Sequence, residues 1–337
     1  MTGAARARVV AGAAAIALLG GCGVISPHTQ TSGTSGQVTA PKSSSPAPAA
    51  TASLPYNMTG LLDPTGGKFF GVEAQGAPAL GPVTSFASSL GKRPDMIGQY
   101  LAWGSSFNAR AVAAAWSYGA LSYLAWEPYT TSVQGIAQGQ SDTYITRFAT
   151  AVRKLNLPVA ISFGHEMNGN WYPWGTDETS ATEFVAAWRH IHNLFIQAGA
   201  SNVIWVWNPN VINPVPQISL QEYWPGDAYV DWVGITGYFP TSGPETFATL
   251  YGPTISEIKH FTTKPMIIAE TAVETGPSEI QATHSLVVGI KRHPGVLGFI
   301  WFDFDKDGVD WQVESRPTVR DALSGDITGL QLINPKK

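Results

Sequence analysis

The sequence predicts an α/β fold, a single (β/α)8 TIM barrel in which eight parallel strands alternate with helices. Short apolar runs recur eight times between Lys68 and Phe304, and amphipathic stretches separate several of them. Continuous apolar runs are typical of parallel strands that are covered on both faces. A doubly wound sheet is the alternative, but no glycine-rich phosphate loop follows the first run. The barrel is therefore favoured.

The predicted strands are 68–74, 95–103, 121–128, 158–168, 202–210, 230–240, 265–273 and 295–304. One predicted helix precedes the fourth strand, where a single helical face carries Ile145, Phe148, Ala149, Val152 and Leu155. Another follows that strand. Ser180 and Glu183 have the spacing of a capping box at its start, and Gly199 is placed to end it.

The first 22 residues are typical of a secretory signal peptide. Arg6 and Arg8 precede the apolar run 9–19, which is too short to span a bilayer. Leu19-Gly20-Gly21-Cys22 follows, and it resembles a bacterial lipobox whose cysteine becomes lipidated. Cys22 is the only cysteine of the chain, so no intrachain disulfide can form. We expect a lipid-anchored protein on the extracellular face of the membrane; an ordinary signal peptide is the alternative.

Composition divides the rest of the chain. Residues 23–65 are rich in Ser, Thr, Pro, Gly and Ala, which predicts a disordered linker. We expect the barrel domain over 66–325 and a C-terminal tail over 326–337, whose last few residues, around NPKK, should be frayed. The net charge is −4 and no basic stretch occurs, which argues against a nucleic-acid partner.

All 12 Trp residues follow residue 100, so we expect some of them to line a ligand site.

Polar and aromatic residues follow the predicted strands at their C-terminal ends, where (β/α)8 barrels place functional groups. These residues are Trp103, Glu127, Glu166, Asn208, Tyr238, Glu270, Trp301 and Asp303. Such a series would be unusual if the strand ends were only structural.

Three interpretations compete for the adjacent pair His165 and Glu166. A zincin-type metal site needs a second His four residues after the first, but Gly169 stands there. No G-x-S-x-G elbow of a serine hydrolase follows a strand either. An ordinary buried polar pair remains open, but Glu270, which ends the apolar run PMIIA, supplies a second carboxylate. Two carboxylates across a barrel mouth are what glycoside hydrolysis requires, and we expect no metal or cofactor.

Several segments together resemble glycoside hydrolase family 26. They are HEMNGNWYPWG, AWRHIHNLF with NVIWVWNPN, YWPGDAYVDWVGITGY, KPMIIAET and FIWFDFDKDGVDWQVES. The resemblance covers about residues 66–325. The family consists of retaining clan A enzymes, which include endo-β-1,4-mannanases and some β-1,3-1,4-glucanases and β-1,3-xylanases.

The resemblance implies roles for individual residues. Glu166 corresponds to the general acid/base and Glu270 to the nucleophile, with Tyr238 as its hydrogen-bond donor and His165 in the glycone subsite. Trp171 and Trp301 correspond to rings that face the sugar. Further implied or candidate substrate contacts are Trp126, Glu127, Trp174, Asn208 and Asp303. For Trp126 a role in the core is the alternative.

The predicted function is endo-acting, retaining hydrolysis of β-1,4-mannosidic linkages. A β-1,3-1,4-glucanase or a β-1,3-xylanase is the alternative within the family, and a non-catalytic glycan-binding lipoprotein is the alternative outside it. Many members carry an Arg on strand four, whereas this chain has Ile161-Ser162-Phe163-Gly164, and Phe302 replaces a polar residue after the last strand's Trp. The expected partners are a polysaccharide and, through Cys22, a membrane; we expect a monomer.

Overall fold

The computed structural model describes residues 56–212, 218–306 and 308–337, which form a closed barrel of eight parallel strands. Each strand pairs with its neighbours in sequence, and the last pairs with the first. This confirms the predicted fold class. The strands are β1 (Phe69–Ala74), β2 (Met96–Ala102), β3 (Leu121–Glu127), β4 (Val159–Phe163), β5 (Val203–Trp207), β6 (Trp232–Thr236), β7 (Met266–Thr271) and β8 (Val296–Asp303).

Helices surround the barrel and mostly alternate with its strands. They are α1 (Met58–Leu62), α2 (Leu80–Leu90), α3 (Ala109–Tyr118), α4 (Val133–Ala137), α5 (Asp142–Leu155), α6 (Ala181–Gln197), α7 (Phe247–Ile258), α8 (Glu279–Arg292) and α9 (Pro317–Thr328). Between β5 and β6 the described residues contain only two short 3₁₀ turns, Leu220–Tyr223 and Asp227–Tyr229. A two-stranded antiparallel hairpin, β9 (Asp305–Lys306) and β10 (Val309–Asp310), follows β8.

Both predicted helix signals are confirmed. The apolar face predicted for α5 is buried at Ile145, Phe148, Ala149 and Val152. In α6 the Ser180 hydroxyl accepts from the Glu183 amide, and the Glu183 carboxylate accepts from the Ser180 amide at 3.0 Å. Gly199, at φ +71°, lies just beyond the last turn, where the left-handed conformation favours glycine.

Successive side chains of each strand point to opposite faces, and the two faces form two separate apolar cores. The inner core fills the lower part of the barrel and consists mainly of Phe69, Met96, Leu121, Tyr123, Ala160, Ile204, Val206, Trp232, Ile267, Ala269 and Ile300. The outer core lies between the strands and the helices and includes Phe70, Val72 and Trp126. The inner face of β1 continues from Phe69 to Glu73, and that of β2 from Met96 to Tyr100. Polar groups therefore replace apolar ones towards the C-terminal mouth.

The folded domain begins earlier than predicted, because α1 covers the N-terminal end of the barrel. Leu61 is buried in the inner core, and the Tyr56 ring packs edge-on against Trp116 with centroids 5.9 Å apart. The Trp232 Nε1–H donates to the Leu62 carbonyl at 3.0 Å. Residues 56–65, assigned from composition to a disordered linker, are thus part of the fold. The remaining linker, the signal segment and Cys22 lie outside the described residues.

Much of the predicted C-terminal tail 326–337 is likewise packed. Helix α9 continues to Thr328, Leu330 is buried, and Leu332 forms a parallel bridge with Lys68. The apolar residues of this tail thus pack beside β1, ahead of the residues 334–337 that the sequence predicts to be frayed. Within the described residues, no helix is long and apolar enough to cross a membrane.

Candidate active site

Four glutamates meet at the C-terminal mouth of the barrel. Glu73 is on β1, Glu127 ends β3, Glu166 follows β4 and Glu270 is on β7. Their exposed fractions are 1%, 2%, 5% and 6%, respectively. The charge of Glu270 raises the pKa of each of the other three, so the four carboxyls form one electrostatic cluster.

The backbone at Glu166 is strained. Its φ is +56°, a left-handed conformation that non-glycine residues rarely adopt. Its amide donates to the Asn208 carbonyl at 2.7 Å, and its own carbonyl accepts from the Gly169 amide at 2.9 Å. These contacts hold a conformation that is typically found at functional sites.

The Glu166 carboxyl lies between two hydrogen-bond donors. The Trp171 indole donates to Oε2 at 2.9 Å, and the Asn210 amide group donates to Oε1. Asn168 fixes Asn210 by accepting from its backbone amide at 2.8 Å. Burial, together with the charge of Glu270, nevertheless raises the pKa of Glu166 to about 8. The raised pKa favours the protonated form of this carboxyl near neutral pH, which is the form that can donate a proton.

The Glu270 carboxyl has different surroundings, because two phenols donate to it. The Tyr100 hydroxyl donates to Oε2 at 2.7 Å, and the Tyr238 hydroxyl donates to Oε1. Burial raises the pKa of Glu270, while both hydroxyls, by stabilising the ionised form, act against that rise. Of the two carboxyls, Glu270 is the one whose surroundings better stabilise the ionised form.

His165 is fully enclosed beside these groups. Burial lowers its pKa to about 3, so the imidazole is neutral. Its Nε2 lies 3.4 Å from the Tyr172 hydroxyl, and its carbonyl accepts from the Trp174 indole at 2.6 Å. Lys306, on the hairpin after β8, lowers the pKa of all four glutamates and supplies positive potential to the cluster.

Of the two rings predicted to face a sugar, only Trp171 is partly exposed. A short loop carries it, closed at Gly175, where a Cβ would lie 2.3 Å from the Gly169 carbonyl oxygen. The prediction for Trp301 is wrong, because its ring is 0% exposed and its indole donates to the Trp311 carbonyl at 3.2 Å. Phe302, the next residue, packs near Tyr100 and Tyr238 instead. Strand alternation therefore turns Trp301 away from the mouth.

Most of the additional side chains predicted to contact substrate are buried inside the structure. Trp126 lies fully buried between Trp103 and Phe148, with ring centroids at 4.4 and 4.5 Å, and Trp174 stacks on Tyr172 at 4.4 Å. Both rings are packing residues. For Trp126 this is the core role that the sequence left open, whereas Trp174 has no exposed surface with which to contact substrate as predicted.

Asn208 and Asp303 hold loops and strands together. The Asn208 amide donates to the Tyr123 and Thr236 hydroxyls, each at 3.1 Å, beneath the site. Asp303 accepts from the Val313 amide at 3.0 Å. Glu127 belongs to the glutamate cluster, and burial raises its pKa to about 8.

Three residues of the site were missed from the sequence: Glu73, Tyr100 and Asn210. All three lie towards the ends of predicted strands, Glu73 in 68–74, Tyr100 in 95–103 and Asn210 in 202–210, so their position was a signal. Their contacts depend on pairings across the barrel, which local patterns do not encode. Among the described residues, no group of three or more His, Cys, Asp or Glu side chains is arranged to hold a metal ion.

The arrangement combines a protonated carboxyl, an ionisable carboxyl held by two phenols and a partly exposed indole. Such a pair can protonate a leaving group on one side of a bond while attacking on the other.

Residues 130–268 match the model of the family described as Glycosyl hydrolase family 26. Endoglucanase H of Acetivibrio thermocellus is 30% identical over 254 residues, which cover 71% of this chain and 28% of that protein. Mannan endo-1,4-beta-mannosidase A and B of Caldalkalibacillus mannanilyticus is 33% identical over 125 residues, or 35% of this chain and 21% of that protein. The chain thus spans roughly a quarter of the length of these curated relatives.

Solved structures share the fold. The catalytic domain of the Bacillus sp. JAMB-750 GH26 endo-beta-1,4-mannanase superposes with a TM-score of 0.63 at 17% identity, covering 79% of this chain and 88% of that one. At this identity the likeness concerns the fold alone.

Proposed function

We propose that the chain belongs to glycosyl hydrolase family 26 and, on that premise, that it is a retaining endo-β-1,4-mannanase. The observation that carries this proposal is the pair Glu166 and Glu270, which is buried at one barrel mouth with different hydrogen-bond donors: an indole and an amide at Glu166, and two phenols at Glu270. One environment favours a proton donor and the other an anion, as a double displacement requires.

In the first step, the Glu270 carboxylate attacks the anomeric carbon while Glu166 gives its proton to the departing glycosidic oxygen. The bond to the leaving sugar breaks as the glycosyl ester forms. The Trp171 indole holds the Glu166 carboxyl in place through its hydrogen bond at 2.9 Å, and its partly exposed ring offers a flat apolar surface to a pyranose.

In the second step, Glu166, now ionised, takes a proton from water, and that water displaces Glu270 from the sugar. The two inversions together retain the anomeric configuration. This mechanism expects the two carboxyl groups to lie about 5–5.5 Å apart, and no metal or organic cofactor takes part.

A β-glucan is the second candidate substrate, and a specific observation favours it. The relative that matches 71% of this chain is named an endoglucanase, whereas the mannosidase relative matches 35%. The wall beside Glu270 is also aromatic. Phe302 stacks on Phe304 at 4.5 Å, next to Tyr100, where a polar residue was expected from the family resemblance.

The test is release of reducing sugar from galactomannan, glucomannan, barley β-glucan and β-1,3-xylan by the purified protein. Glu166→Gln and Glu270→Gln serve as matched variants, because each keeps the side-chain shape and removes the ionisable group. We expect hydrolysis of one mannan-type polymer, falling by about a thousandfold or more in both variants. Proton NMR of the first product should show the β-anomer, and product sizes should show internal cleavage.

Hydrolysis confined to barley β-glucan would move the assignment to a glucanase with the same catalytic pair. First release of the α-anomer would contradict retention. If the protein bound a glycan tightly and cleaved none of the four polymers, a binding protein would replace the hydrolase.

We also propose that the protein is a secreted, lipid-anchored monomer, with Cys22 carrying the lipid at the extracellular face of the membrane. The support is the sequence alone: Leu19-Gly20-Gly21-Cys22 ends an apolar segment, and a Ser- and Pro-rich linker follows. Cells that express the full chain and are fed labelled palmitate should label it, and Cys22→Ser should abolish both labelling and membrane association. Light scattering of the released protein tests the monomer.

A further inference from the structure

Tyr100 lies between two carboxyls on the floor of the site. Its hydroxyl oxygen is 2.7 Å from Glu270 Oε2 and 3.2 Å from Glu73 Oε2. Glu73 is 1% exposed, and its other oxygen, Oε1, has no hydrogen-bond partner among the described residues. The fold leaves space for this carboxyl, since a Cβ at Gly98 would lie 2.1 Å from the Glu73 Cγ.

A phenol has one proton, so it cannot donate to two carboxylates at once. If Glu73 and Glu270 were both ionised, one carboxylate would face the Tyr100 oxygen without a hydrogen between them. A protonated Glu73 removes the conflict. Its O–H donates to the Tyr100 oxygen, and the Tyr100 O–H donates to Glu270.

We propose that Glu73 is a neutral carboxylic acid that positions and polarises Tyr100, and through it the Glu270 nucleophile. Glu73 is thus a positioning residue rather than a catalytic one, because it touches Tyr100 and not the reacting atoms. No proton leaves the chain of hydrogen bonds; the acid only strengthens the donation that Glu270 receives. The proposal rests on the assignment of Glu270 as nucleophile.

The charges around Glu73 agree with a neutral acid. Burial raises its pKa well above the usual value, and the charges of Glu270 and Glu127 raise it further. The Tyr100 hydroxyl and Lys306 act in the opposite direction. Glu270 faces Glu73 from β7, Glu127 from β3 and Tyr100 from β2. Lys306 faces it from the hairpin after β8 and acts on all four glutamates.

The first test follows the acidic limb of kcat/KM against pH, which reports ionisation of Glu270 in the free enzyme. Glu73→Gln keeps a neutral donor to Tyr100. The midpoint of the acidic limb should therefore stay within about 0.3 pH units of that of the unsubstituted protein, although kcat/KM falls by up to about tenfold. Glu73→Leu removes the donor, so Tyr100 donates less strongly and the midpoint should rise. In a Tyr100→Phe background the two substitutions should give equal midpoints.

An ionised Glu73 predicts a different result. Glu73→Gln would then remove a negative charge near Glu270 and lower the midpoint by about one unit, which would overturn the proposal. If the two Glu73 variants gave unequal midpoints in the Tyr100→Phe background, Glu73 would not act on Glu270 through Tyr100.

The second test needs no substrate. Infrared difference spectra at pH 6 should show that Glu73→Gln loses one carboxylic-acid carbonyl band, and that Tyr100→Phe shifts the same band. Loss of a carboxylate band instead would overturn the proposal. Asp95→Asn is the matched control: this buried carboxyl precedes β2 at the opposite end of the barrel, accepts from the Phe70 amide at 2.9 Å and should not alter the Glu73 band.

The two tests separate the possible failures. If no polymer is hydrolysed but the acid band behaves as described, the hydrogen-bonded acid stands and the proposed hydrolase fails. If hydrolysis is found and the band belongs to a carboxylate, the hydrolase stands and the role of Glu73 fails.

Discussion

The Glu166 and Glu270 side chains are chemically identical, and their neighbours decide what each can do. Glu166 accepts from one indole and one amide, whereas Glu270 accepts from two phenols. Both are buried, so desolvation favours the neutral form of each. The difference lies in the stronger stabilisation of the Glu270 anion, since hydroxyl donors to a carboxylate form short, charge-assisted bonds.

Tyr238→Phe tests that difference directly. Loss of one donor destabilises the Glu270 anion, so its pKa rises and the acidic limb of kcat/KM moves to higher pH. We expect a fall of about tenfold to a hundredfold at the optimum, the range for one hydrogen bond to a charged group. Tyr144→Phe is the control, because its hydroxyl donates to the Ser105 carbonyl at 2.9 Å, away from Glu270. An unmoved limb in Tyr238→Phe would contradict the role of Tyr238.

Sequence reasoning could find the two glutamates and, through the family resemblance, Tyr238 as a donor to Glu270, but it could not find Tyr100 or Asn210. Glu166 and Glu270 follow apolar runs, and a carboxylate at the end of a buried strand is a local, readable signal. Tyr100 reaches Glu270 across 170 residues of sequence, through a barrel closure that no local pattern contains. Trp301 was misjudged because an apolar ring suits either face of β8, and only the register decides which face it occupies.

At the level of elements, all eight strands were predictable, but their ends were not. The predicted strand 158–168 stops at Phe163 in the structure, and 202–210 stops at Trp207. In both cases the rest of the predicted strand, GHEMN over 164–168 and NPN over 208–210, belongs to a loop that builds the site. A further error was α1, where residues grouped with the Ser- and Pro-rich linker form a short helix capped by Asn57, whose side chain accepts from the Gly60 amide at 3.0 Å.

Leu61→Ala measures how much α1 contributes. Leu61 is 3% exposed at the N-terminal end of the barrel, so its truncation should lower the free energy of unfolding by about 2–5 kcal/mol. Thr59→Ala, on the exposed side of the same helix, should change it by less than about 0.5 kcal/mol. Urea denaturation of both variants gives the comparison. If the Leu61→Ala and Thr59→Ala variants were equally stable, residues 56–65 would behave as the disordered linker that composition predicted.

Across the whole molecule, buried carboxyls link stability to pH in an unusual direction. Burial raises the pKa of Glu127, Glu166 and Asp303 to about 8, far above the values near 4 of an unfolded chain. Between those values the folded protein binds more protons than the unfolded one. Stability is then fully present below about pH 4 and is lost as pH rises to about 8.

His165 acts in the opposite direction over a lower range. Burial lowers its pKa to about 3, so the unfolded state binds the extra proton below about pH 6.5. Its contribution is complete above pH 6.5 and is lost as pH falls towards 3. The carboxyl effect is therefore isolated between about pH 6.5 and 8.

In that window we expect the free energy of unfolding to fall as pH rises, by up to about 1.4 kcal/mol per pH unit for each such carboxyl. Asp303→Asn should reduce the slope, because the amide oxygen can still accept from the Val313 amide but no longer ionises on unfolding. The exposed Asp321, changed to Asn, should leave the slope unaltered. Urea titrations at three pH values measure all three proteins. A stability that is constant or rises from pH 6.5 to 8 would show that the mouth of the barrel holds its carboxyls as anions, which the proton-donor role of Glu166 does not allow.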